Sequence, residues 1–213
     1  MFLDVIDTNV WVQAINWQTD WAEKLYDEVV ADQRFVYLSR YIVSEIYEVS
    51  LRERGKEGAE DAQLHLSTLW NLDSTVMPHP QEVITPPDTT DLYGGPVNRR
   101  RTSPLQITHL RHNPFSLLLE GVFDSLERGD APILADAYKM ALLSEQGIGT
   151  HRKQIANPVL VRRPEEMRFF NRLRDNGVSN LTSRIITNDG AFSDVNPSSV
   201  GIDNVVVEEY PKL

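Results

Sequence analysis

Four carboxylates stand where local structure alone does not require them. Asp7 and Asp189 each follow a short apolar run, and Glu45 and Asp136 lie within apolar-patterned segments. Two carboxylates about 4 Å apart repel by roughly 4 kcal/mol at an effective dielectric of 20, so a cluster of four needs a cation. Mg²⁺ and Mn²⁺ prefer carboxylate oxygens and water, and a pair of such ions can cleave a phosphodiester. If folding gathers these acids, they predict a divalent-metal site with hydrolytic chemistry.

The elements that must position these acids alternate between strand and helix. Helical spacing of apolar residues begins after Asp20, Ser39 and Asp130, and a charged turn at 55–58 divides the second of these helical stretches. This alternation predicts an α/β fold, a three-layer α/β/α sandwich around a mostly parallel central sheet. In such sheets, sites assemble at the carboxyl ends of strands. The predicted strands cover residues 3–6, 35–38, 74–77, 184–187 and 204–207.

The chain of 213 residues is expected to form a single domain with two insertions. Residues 78–115 hold seven prolines and a Gly-Gly pair, which indicates a long irregular segment. Residues 151–184 are basic, with helical character from 165 to 175.

Charge is unevenly distributed. The formal net charge is −10, which argues against general affinity for nucleic acid. The basic residues concentrate in the two insertions. Their arginines could contact RNA phosphates, lie in solvated loops or form ion pairs within a helix. Only five of the 21 basic residues are lysines, and an acidic, lysine-poor surface suits a cytoplasm with very high salt. The candidate RNA-binding arginines are Arg99, Arg100, Arg101, Arg162 and Arg163.

Several classes of protein are excluded by composition. There is no cysteine, so a disulfide scaffold, a Cys-ligated metal site and a thiol nucleophile are all ruled out. No apolar run approaches the ~20 residues that a transmembrane helix needs. The first residues lack the basic region of a secretory signal, so we expect a cytoplasmic protein.

The four acids occur in segments whose order and apolar flanks resemble the four motifs of PIN-domain nucleases. Residues 7–10 (DTNV) are similar to the opening motif, and residues 39–49 (SRYIVSEIYEV) to the second, with Glu45 as its acid. Residues 133–142 (ILADAYKMAL) resemble the third, and residues 185–192 (IITNDGAF) the fourth. Together these segments cover the core of the chain and leave out the two insertions.

The resemblance implies a Mg²⁺- or Mn²⁺-dependent endonuclease, with RNA as the substrate of many members. It would make Asp7, Glu45, Asp136 and Asp189 metal ligands, directly or through water, with Asn9 and Thr187 as polar neighbours. Many small relatives are VapC-type toxins that form homodimers and are inhibited by an antitoxin. The length of this chain and its two insertions depart from those toxins, so an RNA-processing role stands beside the toxin role.

Two other functions stay open at this point. One is a PIN-like module that binds RNA or protein without cleaving it. The other is a haloacid dehalogenase-type phosphatase, which also uses an Asp at the end of its first strand. Such enzymes need a second Asp two residues later, where this chain has Asn9.

Asp130 is interpreted as a helix cap, because six residues of helix turn it away from the face of Asp136.

Overall fold

The central element is a five-stranded parallel sheet. The computed structural model describes residues 1–17, 19–84, 119, 123, 125–126, 129–145, 163–178 and 181–210. The strands lie in the order β3-β2-β1-β4-β5, and every neighbouring pair is parallel. Their bounds are β1 Phe2–Ile6, β2 Phe35–Tyr37, β3 Thr75–Val76, β4 Thr182–Thr187 and β5 Val205–Glu209. All five predicted strands are therefore present, with ends shifted by up to two residues.

Helices cover both sides of this sheet. Helices α1, α2 and α3 pack against one another, whereas α5 packs on β1, β4 and β5, and α6 on β3. The predicted three-layer α/β/α sandwich is confirmed. A π-helical turn, Gln13–Trp17, continues α1, and two 3₁₀ turns, Gly190–Phe192 and Pro197–Val200, separate β4 from β5. The helices are α1 Thr8–Val12, α2 Asp20–Val30, α3 Arg40–Trp70, α4 Pro80–Ile84, α5 Ala131–Glu145 and α6 Pro164–Asp175.

Helix α3 runs through the segment predicted as a charged turn. Only Gly55 within it leaves helical geometry, with φ 63° and ψ −146°, a conformation that favours glycine. At Gly58 a Cβ atom would lie 2.4 Å from the backbone oxygen of Ser50, so the kink brings the two halves too close for a side chain there. The predicted turn is a sharp kink between two helical halves.

A buried ion-pair network lies at the centre of the largely apolar sheet. Asp4 lies in the middle of β1 and is 1 % exposed. Its carboxylate accepts two hydrogen bonds from Arg184, at 2.8 and 2.9 Å, and one from Arg34 at 2.9 Å. Glu208 and Glu28 bind the outer sides of these two arginines. The acid within the first strand is thus fully paired and belongs to the scaffold.

The second predicted insertion contributes to the core. Phe169, Phe170 and Leu173 of α6 are buried, and β4 begins inside the range assigned to the insertion. Of the first predicted insertion, α4 lies in its opening residues, and residues 85–115 lie outside the described part of the chain. Within the part that the structure describes, no helix combines the length and apolarity needed to span a membrane.

Candidate functional site

Asp7 lies where the two central strands end. β1 stops at Ile6, and Asp7 caps α1, its Oδ1 accepting a hydrogen bond from the backbone N–H of Asn9 at 3.3 Å. Its Oδ2 accepts a hydrogen bond from the hydroxyl of Thr187, the last residue of β4, at 2.7 Å. Since Ile6 pairs with Ile186 in the parallel register, the ends of β1 and β4 meet at one edge. Two residues 180 positions apart in sequence are joined in this way.

Glu45 reaches the same edge from α3. Ser39 caps this helix by accepting a hydrogen bond from the N–H of Ile42. The Glu45 carboxylate, nearly two turns into the helix, is held by two hydroxyl groups. Thr8 donates to Oε2 at 2.7 Å, and Tyr41 donates to Oε1 at 3.1 Å. Because Thr8 follows Asp7 directly, this contact ties the second predicted acid to the first.

Burial and like charge act on both carboxylates. Burial raises the pKa of Asp7 to about 6, although hydrogen bonds from Thr187 and Asn9 oppose it; the negative charges of Asp130 and Glu45 raise it further. Burial also raises the pKa of Glu45, against the hydrogen bonds from Thr8 and Tyr41. Asp130 again contributes a raising charge. Asp7, Glu45 and Asp130 therefore share one acidic region.

Asp130 was interpreted from the sequence as a helix cap. It does stand at the start of α5, where its backbone oxygen accepts hydrogen bonds from Ile133 and Leu134. The structure adds an electrostatic effect on Asp7 and Glu45 that the cap interpretation missed. One feature of the sequence could have indicated this effect: Asp130 lies at the start of the same predicted helix that carries Asp136.

Asp136 is buried on α5, at 2 % exposure. Its charge acts on Tyr37, the last residue of β2, whose pKa is raised first by burial and then by Glu166 and Asp136. Glu166 of α6 accepts hydrogen bonds from Tyr37 at 2.9 Å and from Lys139 at 2.6 Å. The structure thus places the third predicted acid near a buried polar group formed by β2, α5 and α6.

Asp189 is half-buried two residues beyond β4. Its Oδ1 accepts a hydrogen bond from the N–H of Ala191 at 2.9 Å and caps a 3₁₀ turn. Its own N–H donates to the hydroxyl of Thr187 at 2.9 Å, and that hydroxyl donates to Asp7. The fourth predicted acid therefore connects to the first through Thr187. Asn9 donates its backbone N–H to Asp7, and the residue is exposed.

The carboxylate oxygens of Asp7 and Glu45 are the type of ligand that a hard divalent cation prefers. Each oxygen of Asp7 and of Glu45 accepts one hydrogen bond in the contacts above and has a second lone pair. Mg²⁺ is commonly held by one or two carboxylates together with water molecules. Among the side chains that the structure describes, no group of three or more acids and histidines is arranged to hold a metal ion. Of the four predicted ligands, Asp7 and Glu45 are linked through Thr8, and they are the candidate pair.

Of the predicted RNA-binding arginines, one falls within the described part of the chain. Arg163 precedes α6, and its N–H donates to Glu166 at 3.1 Å. Its positive charge opposes the rise in the pKa of Tyr37, so it lies near the end of β2. Arg99, Arg100, Arg101 and Arg162 lie outside the described residues.

Comparisons with protein-family models, with curated proteins and with solved structures found no match to this chain.

Proposed function

We propose that this protein is a metal-dependent nuclease that hydrolyses RNA phosphodiester bonds. The observation that carries the proposal is that buried Asp7 and half-buried Glu45 lie together at the carboxyl edge of a parallel sheet. Burial and the charge of Asp130 make the ionised pair costly, as the pKa of about 6 at Asp7 indicates. In the described contacts, no basic side chain touches either carboxylate. A divalent cation is therefore the partner that this concentration of negative charge favours.

The chain's own residues bind and orient. Asp7 and Glu45 would hold the ion through carboxylate oxygens, while Thr187 and Thr8 keep one oxygen of each acid fixed. A bound Mg²⁺ or Mn²⁺ ion would activate water and neutralise charge on a phosphoryl group. Three further parts of the proposal rest on the resemblance of the four motifs. These are RNA as the substrate, a homodimeric state and an antitoxin partner.

Cleavage of RNA in the presence of Mn²⁺ tests the proposal. Asp7→Asn and Glu45→Gln keep the shape of each side chain and remove its charge, so each variant should lose more rate than the roughly 10–100-fold that removal of a partner orienting a ligand costs. The matched control is Asp203→Asn, which neutralises an exposed acid and should cleave at the wild-type rate. Equal rates in all four proteins would show that the nuclease proposal is wrong.

Asp136→Asn in the same assay decides whether the third acid takes part. A loss like that of Asp7→Asn is expected if Asp136 serves the site, as the motif resemblance implies. Two other outcomes support the competing functions. Binding of RNA without cleavage would favour a binding module, and release of phosphate from a small phosphate ester would favour a phosphatase.

A further inference from the structure

Tyr41 joins two segments that border the acidic site. Its hydroxyl lies 3.1 Å from Oε1 of Glu45 and 3.2 Å from the backbone oxygen of Gly129. Glu45 is one turn further along α3, and Gly129 directly precedes Asp130 and the start of α5. We propose that Tyr41 is a positioning residue that fixes the Glu45 carboxylate and the start of α5 relative to Asp7. This inference rests on the metal site of the proposed function.

The need for a positioning group follows from the length of Glu45. A glutamate side chain has three rotatable bonds, so one hydrogen bond leaves its carboxylate free to swing. Thr8 holds Oε2 from the side of α1, and Tyr41 holds Oε1 from within α3. With one hydroxyl on each oxygen, the plane of the carboxylate is set next to Asp7.

The phenol lies within hydrogen-bond distance of two acceptors. A tyrosine hydroxyl has a single hydrogen, and both Glu45 and Gly129 present acceptor oxygens. Replacing Tyr41 with Phe therefore removes the hydrogen that either acceptor can receive and keeps the ring, which packs against the apolar core. Tyr47 lies six residues further along α3 and on a different face, so Tyr47→Phe makes the same chemical change away from the site.

The experiment is a calorimetric titration of the full chain with Mn²⁺ alone, with unfolding by urea in EDTA as a second measurement. Partners that orient a metal ligand are worth about 10–100-fold in metal affinity. We expect Tyr41→Phe to bind Mn²⁺ 10–100-fold more weakly than wild type, while Tyr47→Phe binds normally. Thr8→Val, which removes the hydroxyl on Oε2, should also weaken binding and provides a second measure if Tyr41→Phe folds poorly. In the cleavage assay, raising the Mn²⁺ concentration should restore much of the lost rate of Tyr41→Phe.

The outcomes separate this inference from the proposed function. Wild-type Mn²⁺ affinity in Tyr41→Phe would overturn the positioning role and leave the nuclease proposal intact. Weakened Mn²⁺ binding in Tyr41→Phe, with no RNA cleavage by the wild type, would support the positioning role and overturn the nuclease proposal. A wild-type protein that binds no Mn²⁺ would overturn the positioning role together with the metal site.

Discussion

Asp7 carries its charge in a place that water hardly reaches. The residue is 3 % exposed, and the hydrogen bonds from Thr187 and Asn9 offset only part of the lost hydration, because its pKa still rises to about 6. Near neutral pH the ionised acid is therefore a source of instability in the metal-free protein. Residues that bind metal or substrate often occupy such positions, since the ligand relieves the strain that they cause.

This burial predicts how stability depends on pH. The pKa of Asp7 is higher in the folded state than in the unfolded state, so folding binds a proton between about pH 4 and 6. The contribution of Asp7 is thus fully present below its unfolded value and is lost as the pH rises through about 6. For a pKa that rises from 3.8 to about 6, this loss amounts to roughly 3 kcal/mol.

The variant Asp7→Asn has no charge to bury. In EDTA, its free energy of unfolding should match that of wild type near pH 4 and exceed it by roughly 3 kcal/mol at pH 7. Urea denaturation at a series of pH values measures the difference. Asp203→Asn is the control and should follow wild type throughout. A gap between Asp7→Asn and wild type that does not widen from pH 4 to pH 7 would contradict this account.

The sequence identified which acids could do chemistry, but it could not identify the hydroxyl groups that hold them. Asp7 stands at the carboxyl end of a strand, and strand ends can be read from apolar runs. The hydrogen bonds of Thr8 to Glu45 and of Tyr41 to Gly129 join residues 37 and 88 positions apart. Such contacts depend on how helices pack, which periodicity does not specify. That four acids share one site was an inference of the same long-range kind and stays a prediction.

At the scale of elements, α6 depends on a buried ion pair. Lys139 and Glu166 are about 5 % and 1 % exposed at the side chain, and their charged atoms are 2.6 Å apart. The second oxygen of Glu166 accepts the N–H of Arg163, so the carboxylate is satisfied on both sides. Around it, Phe169 and Leu173 bury the apolar face of α6. The pair thus links α6 to α5.

Removing one partner of the Lys139–Glu166 pair should lower the free energy of unfolding far more than removing both. Glu166→Leu leaves the Lys139 ammonium buried without its partner, and we expect a loss of about 3–5 kcal/mol in the free energy of unfolding. Adding Lys139→Met to that variant should recover most of the loss, because the buried charge is gone. Chemical denaturation of the single and double variants measures both effects.

An exposed pair provides the control for this experiment. Arg172 of α6 pairs with Asp73, whose side chain is almost fully exposed. Asp73→Asn should change stability by less than about 1 kcal/mol. If the single variant Glu166→Leu were as stable as Asp73→Asn, the buried pair would not be what holds α6 in place.

Helical periodicity predicted the bounds of α6 closely. The pattern from 165 to 175 corresponds to the observed Pro164–Asp175. The interpretation of residues 151–184 as an insertion stays a prediction, and the structure adds that the apolar face of α6 packs into the core. The charged turn predicted at 55–58 corresponds to a kink within α3. The sequence alone did not show that only Gly55 would leave helical geometry.

The protein and its proposed RNA substrate are both strongly negative. At a net charge of −10, self-repulsion destabilises the compact state, and salt screens it. The proposed contacts with RNA phosphates weaken as salt rises, since releasing the condensed counterions is less favourable at a higher bulk salt concentration. Stability and substrate binding should therefore respond to salt in opposite directions.

Both responses can be measured on the wild-type protein. Between 0.1 and about 1 M KCl at pH 7, the free energy of unfolding should rise, while the apparent affinity for RNA falls linearly on a log–log plot with a slope set by the number of phosphate contacts. The control is the same unfolding series near the isoelectric pH of about 4.9, where net repulsion vanishes and the gain from salt should shrink. An equal gain at both pH values would mean that salt stabilises the protein by a route other than its net charge, and the interpretation of the acidic surface as an adaptation to high salt would lose its physical basis.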